Sequence, residues 1–213
     1  MSVIHRTWLK PTKLELLTSW LPTRPWYAGG PDAPVLAKAG GFRLDDPEGE
    51  VGIEFMVATD TSGPAPVHYL VPLTYRSAPL PGADHALVGT LEHGVLGKRW
   101  TYDGCHDPVL LTQLLALFEG RAEPQAQSVS DTPDHEITHS YAGDAPLSTA
   151  DARATDTPEA TELPLAPAPT VLHLNRVLRP GSLDLPAAAK GQVTGHWTLP
   201  DETRVRGVLA VLR

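Results

Sequence analysis

Residues 50–58 read Glu-Val-Gly-Ile-Glu-Phe-Met-Val-Ala, and the period of this stretch decides the fold class. Its large β-formers occur at every second position: Val51, Ile53, Phe55 and Val57. Such alternation predicts a half-buried strand. Residues 67–76, Val-His-Tyr-Leu-Val-Pro-Leu-Thr-Tyr-Arg, follow a turn rich in Gly and Pro and are predicted to be its hairpin partner. Pro72 cannot donate a ladder hydrogen bond, so we expect an edge strand or a bulge there.

Two helices are predicted on either side of these strands. Thr12 and Glu15 have the spacing of a capping box, and Pro22 ends the helix that follows. The second helix takes Asp107 as its N-cap and Gly120 as its stop. Further strands are predicted at residues 86–92, 97–102, 170–178, 192–199 and 204–212. This order of elements predicts an α+β fold, with an antiparallel sheet packed on two helices.

Composition divides the chain into three parts. Residues 1–120 hold both predicted helices and the first strands. Residues 121–169 are dense in Ala, Pro, Thr, Ser, Asp and Glu, with few large apolar side chains. Such a segment buries too little apolar surface to offset its ordering entropy, so we expect a long, flexible, low-complexity insertion. Residues 170–213 return to strand patterns and are predicted to complete the same domain.

The charge and cysteine content limit the classes of partner and compartment. The chain of 213 residues has a formal net charge of -8 at pH 7, which disfavours binding to nucleic acid or to anionic membranes. His5, Arg6 and Lys10 interrupt any apolar run at the N-terminus, so a signal peptide is not expected. Cys105 is the single cysteine, in agreement with a reducing compartment. These observations predict a cytoplasmic protein.

Three stretches carry a resemblance to a known family. They are Trp20-Leu-Pro-Thr-Arg-Pro-Trp-Tyr-Ala-Gly29, Tyr69-Leu-Val-Pro-Leu-Thr-Tyr-Arg76 and His93-Gly-Val-Leu-Gly-Lys-Arg-Trp-Thr-Tyr-Asp-Gly-Cys-His-Asp-Pro108. Together they resemble the N-terminal cap domain of actinobacterial maltokinases. The resemblance implies a curved antiparallel sheet packed on helices, with a cystatin-like topology. In that family the cap sits on a kinase that phosphorylates maltose with ATP.

The catalytic parts of such a kinase are not found in the sequence. Phosphoryl transfer needs a base and metal-binding carboxylates, commonly in an H-x-D-x-x-x-x-N loop, and neither this loop nor a phosphate-binding loop is present. We therefore predict a stand-alone, non-catalytic cap-like module without a cofactor. The resemblance implies an accessory role in maltose, trehalose or glycogen metabolism. Its expected partner is a kinase or another enzyme of α-glucan metabolism, or a small oligosaccharide, and a homodimer could form through the edge at Pro72.

A second hypothesis is a carbohydrate-binding domain, because tryptophan rings stack on sugars. The tryptophans considered are Trp20, Trp26, Trp100 and Trp197. The alternative is that these rings pack in the core between helix and sheet. The candidate ligand or partner surface comprises Trp26, Tyr27, Lys98, Arg99 and Trp100.

A third hypothesis is a zinc hydrolase centred on His135, Glu136 and His139, which form an H-E-x-x-H pattern. The chemistry requires a helix, where positions i and i+4 place both imidazoles on one face, about one turn apart. A chance match in a histidine-bearing polar segment is the competing interpretation. Cys105 is a further minor candidate, as a thiolate stabilised by the nearby helix N-terminus.

Overall fold

The structure is a computed structural model that describes residues 7–129, 131–149, 153–181, 183–185 and 187–213. Its two α-helices are α1, Lys13–Trp20, and α2, Pro108–Phe118. Short 3-10 turns cover Leu21–Thr23, Asp84–Ala86 and Gly104–His106. Neither helix has the length and the unbroken apolar run that crossing a membrane needs.

Fourteen strands occur in the described residues. They are β1 Leu9–Lys10, β2 Leu36–Leu44, β3 Gly52–Asp60, β4 Val67–Arg76, β5 Leu87–His93, β6 Gly97–Asp103, β7 Gln125–Ala126, β8 Thr138–Tyr141, β9 Thr155–Asp156, β10 Ala160–Leu165, β11 Thr170–Asn175, β12 Val177–Leu178, β13 Gly191–Thr198 and β14 Arg204–Leu212. The predicted mixture of two helices and antiparallel strands is confirmed.

The strands form one antiparallel sheet in the order β1-β5-β6-β4-β3-β2-β13-β14-β11-β10-β9. Three short strands pair off this path: β7 with β2, β8 with β13 and β12 with β4. Strand β12 directly follows β11, which lies near the β9 end of this order. It pairs with β4, which lies in the half that begins at β1, so the two halves of the sheet come together. The sheet is therefore strongly curved. The structure does not test a cystatin-like topology, which stays a prediction.

Both helices begin and end where local sequence dictates. Thr12 Oγ1 accepts a hydrogen bond from Glu15 N, and Glu15 Oε2 accepts one from Thr12 N, so the predicted capping box is formed. In α2 the Asp107 carboxylate accepts from Val109 N. Gly120 ends this helix at φ 70°, a left-handed conformation that glycine adopts without strain.

The predicted hairpin of β3 and β4 is confirmed, with Phe55 opposite Pro72 in its register. The expectation that β3 is half-buried is wrong, because Ile53 to Asp60 are all buried. The two helices cover opposite faces of this strand. Ile53 and Phe55 belong to the large core cluster that contains α2, and Met56 belongs to a second cluster that contains side chains of α1.

The edge predicted at Pro72 is also wrong, since β4 lies inside the sheet between β3 and β6. On the side away from β3, β12 pairs with His68 and Tyr69, and β6 pairs from Leu73 onward. Pro72 falls in the interval between these two partners, where its missing N–H leaves no ladder bond unmade. Strand β4 therefore has no free edge through which a homodimer could form. Dimerisation stays a prediction.

The segment 121–169 differs in part from the flexible insertion that its composition suggests. It contributes β7, β8, β9 and β10 to the sheet, and its buried apolar side chains include Leu163 and Leu165. Ala160–Leu165 pairs along its whole length with β11. The reason is tertiary: a short strand with alternating apolar residues is ordered by its neighbour, although its surrounding composition is polar.

Candidate functional site

A carboxylate buried on the α1 side of the sheet is the centre of the candidate site. Glu54 lies in β3 between Ile53 and Phe55, directly opposite Arg43 of β2, and is 3% exposed. Alternation along β3 directs Ile53 and Phe55 to the α2 side and Glu54 to the other side. A buried carboxylate is costly unless its oxygens are hydrogen-bonded or paired with a cation.

Three side chains from separate elements satisfy the Glu54 carboxylate. Lys13 Nζ, at the first position of α1, lies 2.5 Å from Oε2. The Tyr75 hydroxyl of β4 donates to the same oxygen over 2.6 Å, and Gln127 Nε2, just after β7, donates to Oε1 over 2.7 Å. Lys13 Nζ also lies 5.0 Å from the centre of the Tyr75 ring. The site is therefore rigid and is held from three sides.

This arrangement shifts the acidity of two groups. Burial acts to raise the pKa of Glu54, but the positive charge of Lys13 and the donors Lys13, Tyr75 and Gln127 outweigh it, so the pKa lies below its usual value. Burial and the adjacent Glu54 charge raise the pKa of Tyr75 well above its usual value. Glu54 is thus an anion at neutral pH and Tyr75 is a neutral donor.

A pocket of about 420 Å³ opens beside Glu54. Its wall carries three cationic side chains, Lys13, Arg43 and Arg99, against two carboxylates, Glu50 and Glu54. Apolar residues line the rest, including Leu9, Leu91 and Leu96. Pockets for small molecules usually have volumes of about 300–1,000 Å³ and combine an apolar lining with a few fixed polar groups. This pocket has that character and lies in the lower part of the range.

Residues 20–107 match the profile of the maltokinase N-terminal cap domain. The match confirms the resemblance and covers less than half of the chain. This cap segment begins at the last residue of α1 and ends at the N-cap of α2, so it contains β2 to β6. It supplies Arg43, Glu54, Tyr75 and Arg99 to the pocket, whereas Lys13 and Gln127 lie outside it. Comparison with curated protein sequences gives no significant match.

The predicted surface does not form as one patch on the cap segment. Trp26 is fully buried, and Arg176 lies against its ring. Tyr27 donates to Asp60 and stacks on Tyr69. The remaining three residues are consecutive in β6, where alternation separates them. Arg99 lines the pocket, whereas Lys98 contacts the ring of Trp100 at 4.9 Å.

Burial also contradicts a sugar site built from the predicted tryptophans. Trp20 is 6% exposed, and Trp26 and Trp197 are almost completely buried. Trp100 is half-buried beside a small cluster around Tyr102. Trp8, which the sequence did not single out, is 62% exposed. The core interpretation of the tryptophans is therefore correct for three of the four.

The zinc hypothesis is wrong, because H-E-x-x-H does not lie on a helix. His135 and Glu136 lie in a turn, and His139 lies in β8, opposite Val193 of β13. Ile137 is buried and fixes this extended path, so His135 and His139 do not share a helical face. Among the described residues, no group of three His, Cys, Asp or Glu side chains could hold a metal ion.

The reactive-thiol hypothesis is also wrong. Cys105 is 1% exposed, and burial raises the pKa of its thiol far above the usual value, so the thiolate is not formed at neutral pH. Next to it, His106 Nδ1 lies 3.1 Å from His85 Nε2. Burial lowers the pKa of His106, which favours a neutral imidazole in this pair.

Sequence reasoning missed most of the pocket residues. Glu54 was expected on the exposed face of a half-buried strand, so its carboxylate raised no question. The sequence did contain a signal for Glu54. It is a charged residue in a stretch that has apolar residues on both faces of the strand: Ile53, Phe55 and Met56. A charged residue in such a position is often paired. Its partners Lys13 and Gln127 were not predictable, because each lies far from it in sequence.

The ionised form of Glu54 is expected to stabilise the fold in a pH-dependent way. Because its folded pKa lies below the unfolded value, this contribution is present above about pH 4.3 and is lost as the pH falls through the folded pKa. We expect Glu54→Gln to lower the free energy of unfolding by about 1–3 kcal/mol at pH 7. The difference from wild type should shrink at pH 3.

Urea denaturation of both proteins at pH 7, 5 and 3 measures this difference. Glu48→Gln is the matched control, because Glu48 is an exposed carboxylate in the turn between β2 and β3. Its effect should stay below about 0.5 kcal/mol at each pH. An equal loss for Glu54→Gln at all three pH values would contradict the role assigned to the Glu54 charge.

Proposed function

We propose that this protein is a non-catalytic accessory module of α-glucan metabolism that binds a saccharide. The match of residues 20–107 to the maltokinase cap supports the metabolic setting. The pocket beside Glu54 supports a small ligand, because its polar groups are held in place from three separate elements. A cytoplasmic location and a partner enzyme, such as a kinase that acts on maltose, belong to the same proposal.

The observation that carries the proposal is the way in which the described chain continues after the cap segment. Strand β13 pairs with β2, and β12 pairs with β4, so residues 177–178 and 191–198 extend the sheet of the cap segment. Helix α2 packs its leucines against Phe42 and Phe55 of that sheet. The described residues after position 107 therefore enlarge the cap around the core cluster that contains α2, and they leave the pocket on the α1 side open to a ligand.

Sugar titration and a kinase assay test the proposal together. The purified protein labelled with ¹⁵N is titrated with maltose, trehalose and maltotriose, and amide shifts are expected at residues 43, 54 and 127. In parallel, the protein is incubated with ATP, Mg²⁺ and each of maltose and glucosamine. Formation of a phosphorylated sugar would contradict the non-catalytic role. Amide shifts confined to other parts of the chain would contradict the pocket as the site.

A further inference from the structure

The cationic side chains of the pocket are not equivalent. Lys13 is committed to Glu54 through an ion pair and a short hydrogen bond. Arg43 and Arg99 form no ion pair and no side-chain hydrogen bond with any residue that the structure describes. Both are partly buried in the pocket lining, so their guanidinium groups have no described protein anion to neutralise them.

The two arginines flank the pocket from different strands. Arg43 lies in β2, opposite Glu54, and Arg99 lies in β6, opposite Leu91. Between β2 and β6 lie β3 and β4, which provide Glu54 and Tyr75. A ligand in the pocket therefore lies over the Glu54 network with a guanidinium group on each side. Guanidinium groups bind phosphate and carboxylate in preference to neutral groups, through paired N–H donors.

The local charge supports an anionic ligand. The chain carries a net charge of -8, yet its pocket wall has more cationic than anionic side chains. Glu54 does not repel an anion strongly, because Lys13 neutralises its charge and three donors occupy its oxygens. A local positive field in an acidic protein is specific for small anions, whereas the remaining surface repels large polyanions such as nucleic acid.

Acceptors in the same pocket suit hydroxyl groups. Gln127 donates through Nε2 to Glu54, which leaves its carbonyl oxygen as an acceptor. Glu50 is an exposed carboxylate at the pocket wall. Leu91 offers an apolar surface for the face of a sugar ring. The volume of about 420 Å³ suits a monosaccharide or disaccharide better than a long oligosaccharide.

We infer that the pocket beside Glu54 binds a small sugar that carries an anionic group, either a phosphate or a carboxylate, with Arg43 and Arg99 holding the anion. This inference rests on the proposed function, which it narrows from saccharides in general to anionic ones. The hydroxyl groups of the sugar are received by Gln127 and Glu50. No covalent step is involved.

Isothermal titration calorimetry tests the inference with four probes: glucose 6-phosphate, gluconate, inorganic phosphate and maltose. Saturable binding of glucose 6-phosphate or gluconate is expected, and the stronger of the two identifies the anionic group. Each of Arg43→Met and Arg99→Met should weaken that binding by at least about tenfold, since each removes charge-assisted hydrogen bonds. Lys98→Met is the matched control, because Lys98 neighbours Arg99 in β6 but faces away from the pocket. Its effect should remain within about twofold.

The outcomes separate this inference from the proposed function. Binding of maltose without binding of either anionic sugar would overturn the inference and leave the proposed function standing. If inorganic phosphate binds as tightly as glucose 6-phosphate, the sugar does not contribute to recognition. If Lys98→Met and Arg99→Met lose the same affinity, the ligand does not bind in this pocket. Thermal unfolding of each variant shows that its fold is retained. If an arginine variant unfolds, amide shifts at residues 43, 99 and 127 on titration of the wild-type protein with the anionic sugar test the same site, and shifts confined to other residues would overturn it.

Discussion

Replacing Asp103 with Asn is expected to lower the free energy of unfolding by about 3–5 kcal/mol. Asp103 is the only described carboxylate paired with Arg176, and both side chains are almost completely buried. Arg176 Nη2 donates to Asp103 Oδ1 and Oδ2 over 2.8 Å and 2.6 Å. Asn keeps the shape of Asp103 but not its charge, so the variant leaves a buried guanidinium without a counter-ion.

The other contacts of Arg176 cannot replace the missing charge. Its Nε donates to Thr161 Oγ1, and its guanidinium lies 4.8 Å from the ring of Trp26, but both partners are neutral. The charge of Asp156 also acts on Arg176, but Asp156 reaches it only through the hydroxyl of Thr161 and does not pair with it. Burial in a medium of low dielectric makes the unpaired cation far more costly than an exposed one. Equilibrium urea denaturation at pH 7 measures the loss.

Two further variants test whether the loss of stability comes from the unpaired buried charge. Arg176→Met added to Asp103→Asn should recover at least about 1 kcal/mol, because it removes the uncompensated charge. Glu159→Gln breaks the exposed pair of Glu159 and Arg179 and should cost less than about 1 kcal/mol. If Asp103→Asn behaves like Glu159→Gln, the buried pair does not stabilise this fold.

The buried pair also shows how the cap segment depends on the rest of the chain. Asp103 ends β6, and Arg176 immediately precedes β12, so the pair joins the two strands that flank the interval beside Pro72. On the side away from β3, β4 has no strand partner beside Pro72, and the side chains of Asp103 and Arg176 connect β6 to the residues before β12 across this interval. The C-terminal strands are thereby tied to the cap segment through both backbone and side-chain contacts.

Local features of the fold could be predicted because short sequences determine them. The capping box of Thr12 and Glu15, and the start and stop of α2 at Asp107 and Gly120, need only neighbouring residues. The strand predicted at residues 170–178 contains Arg176. Nothing local could name its partner, since Asp103 lies 73 residues earlier in the chain.

The pocket could not be predicted for a related reason. A period of two in residues 50–58 shows that Glu54 and Phe55 face opposite ways, but not that α1 covers the side of Glu54. Gln127 reaches Glu54 across 73 residues from a segment whose composition suggests disorder. Trp26 was predicted to belong to a ligand or partner surface, but it is buried. A tryptophan in a sequence fits either a sugar-binding surface or the core. Only the tertiary packing distinguishes the two.

The second large effect is expected at the N-cap of α2, where Asp107→Ala should cost about 3 kcal/mol. Asp107 is fully buried and has two tasks. Its Oδ1 accepts from Val109 N over 3.0 Å, which caps the helix. The same carboxylate accepts from Arg76 Nε and Nη2 over 2.6 Å and 2.7 Å, which ties α2 to β4. Ala removes the cap and leaves Arg76 unpaired.

A double-mutant cycle separates these two tasks. Asp107→Ser retains a capping oxygen but loses the carboxylate pair, so it should be more stable than Asp107→Ala by about 1 kcal/mol. Arg76→Met and its combination with Asp107→Ser complete the cycle, and urea denaturation at pH 7 should give a coupling energy of at least about 1 kcal/mol. The side chain of Arg76 is about one-fifth exposed, so water solvates part of its charge when the carboxylate is removed. The loss of stability in Asp107→Ala should therefore stay below that in Asp103→Asn. A coupling energy near zero would mean that Asp107 acts through the helix cap alone and that Arg76 adds no stability to the junction of α2 and β4.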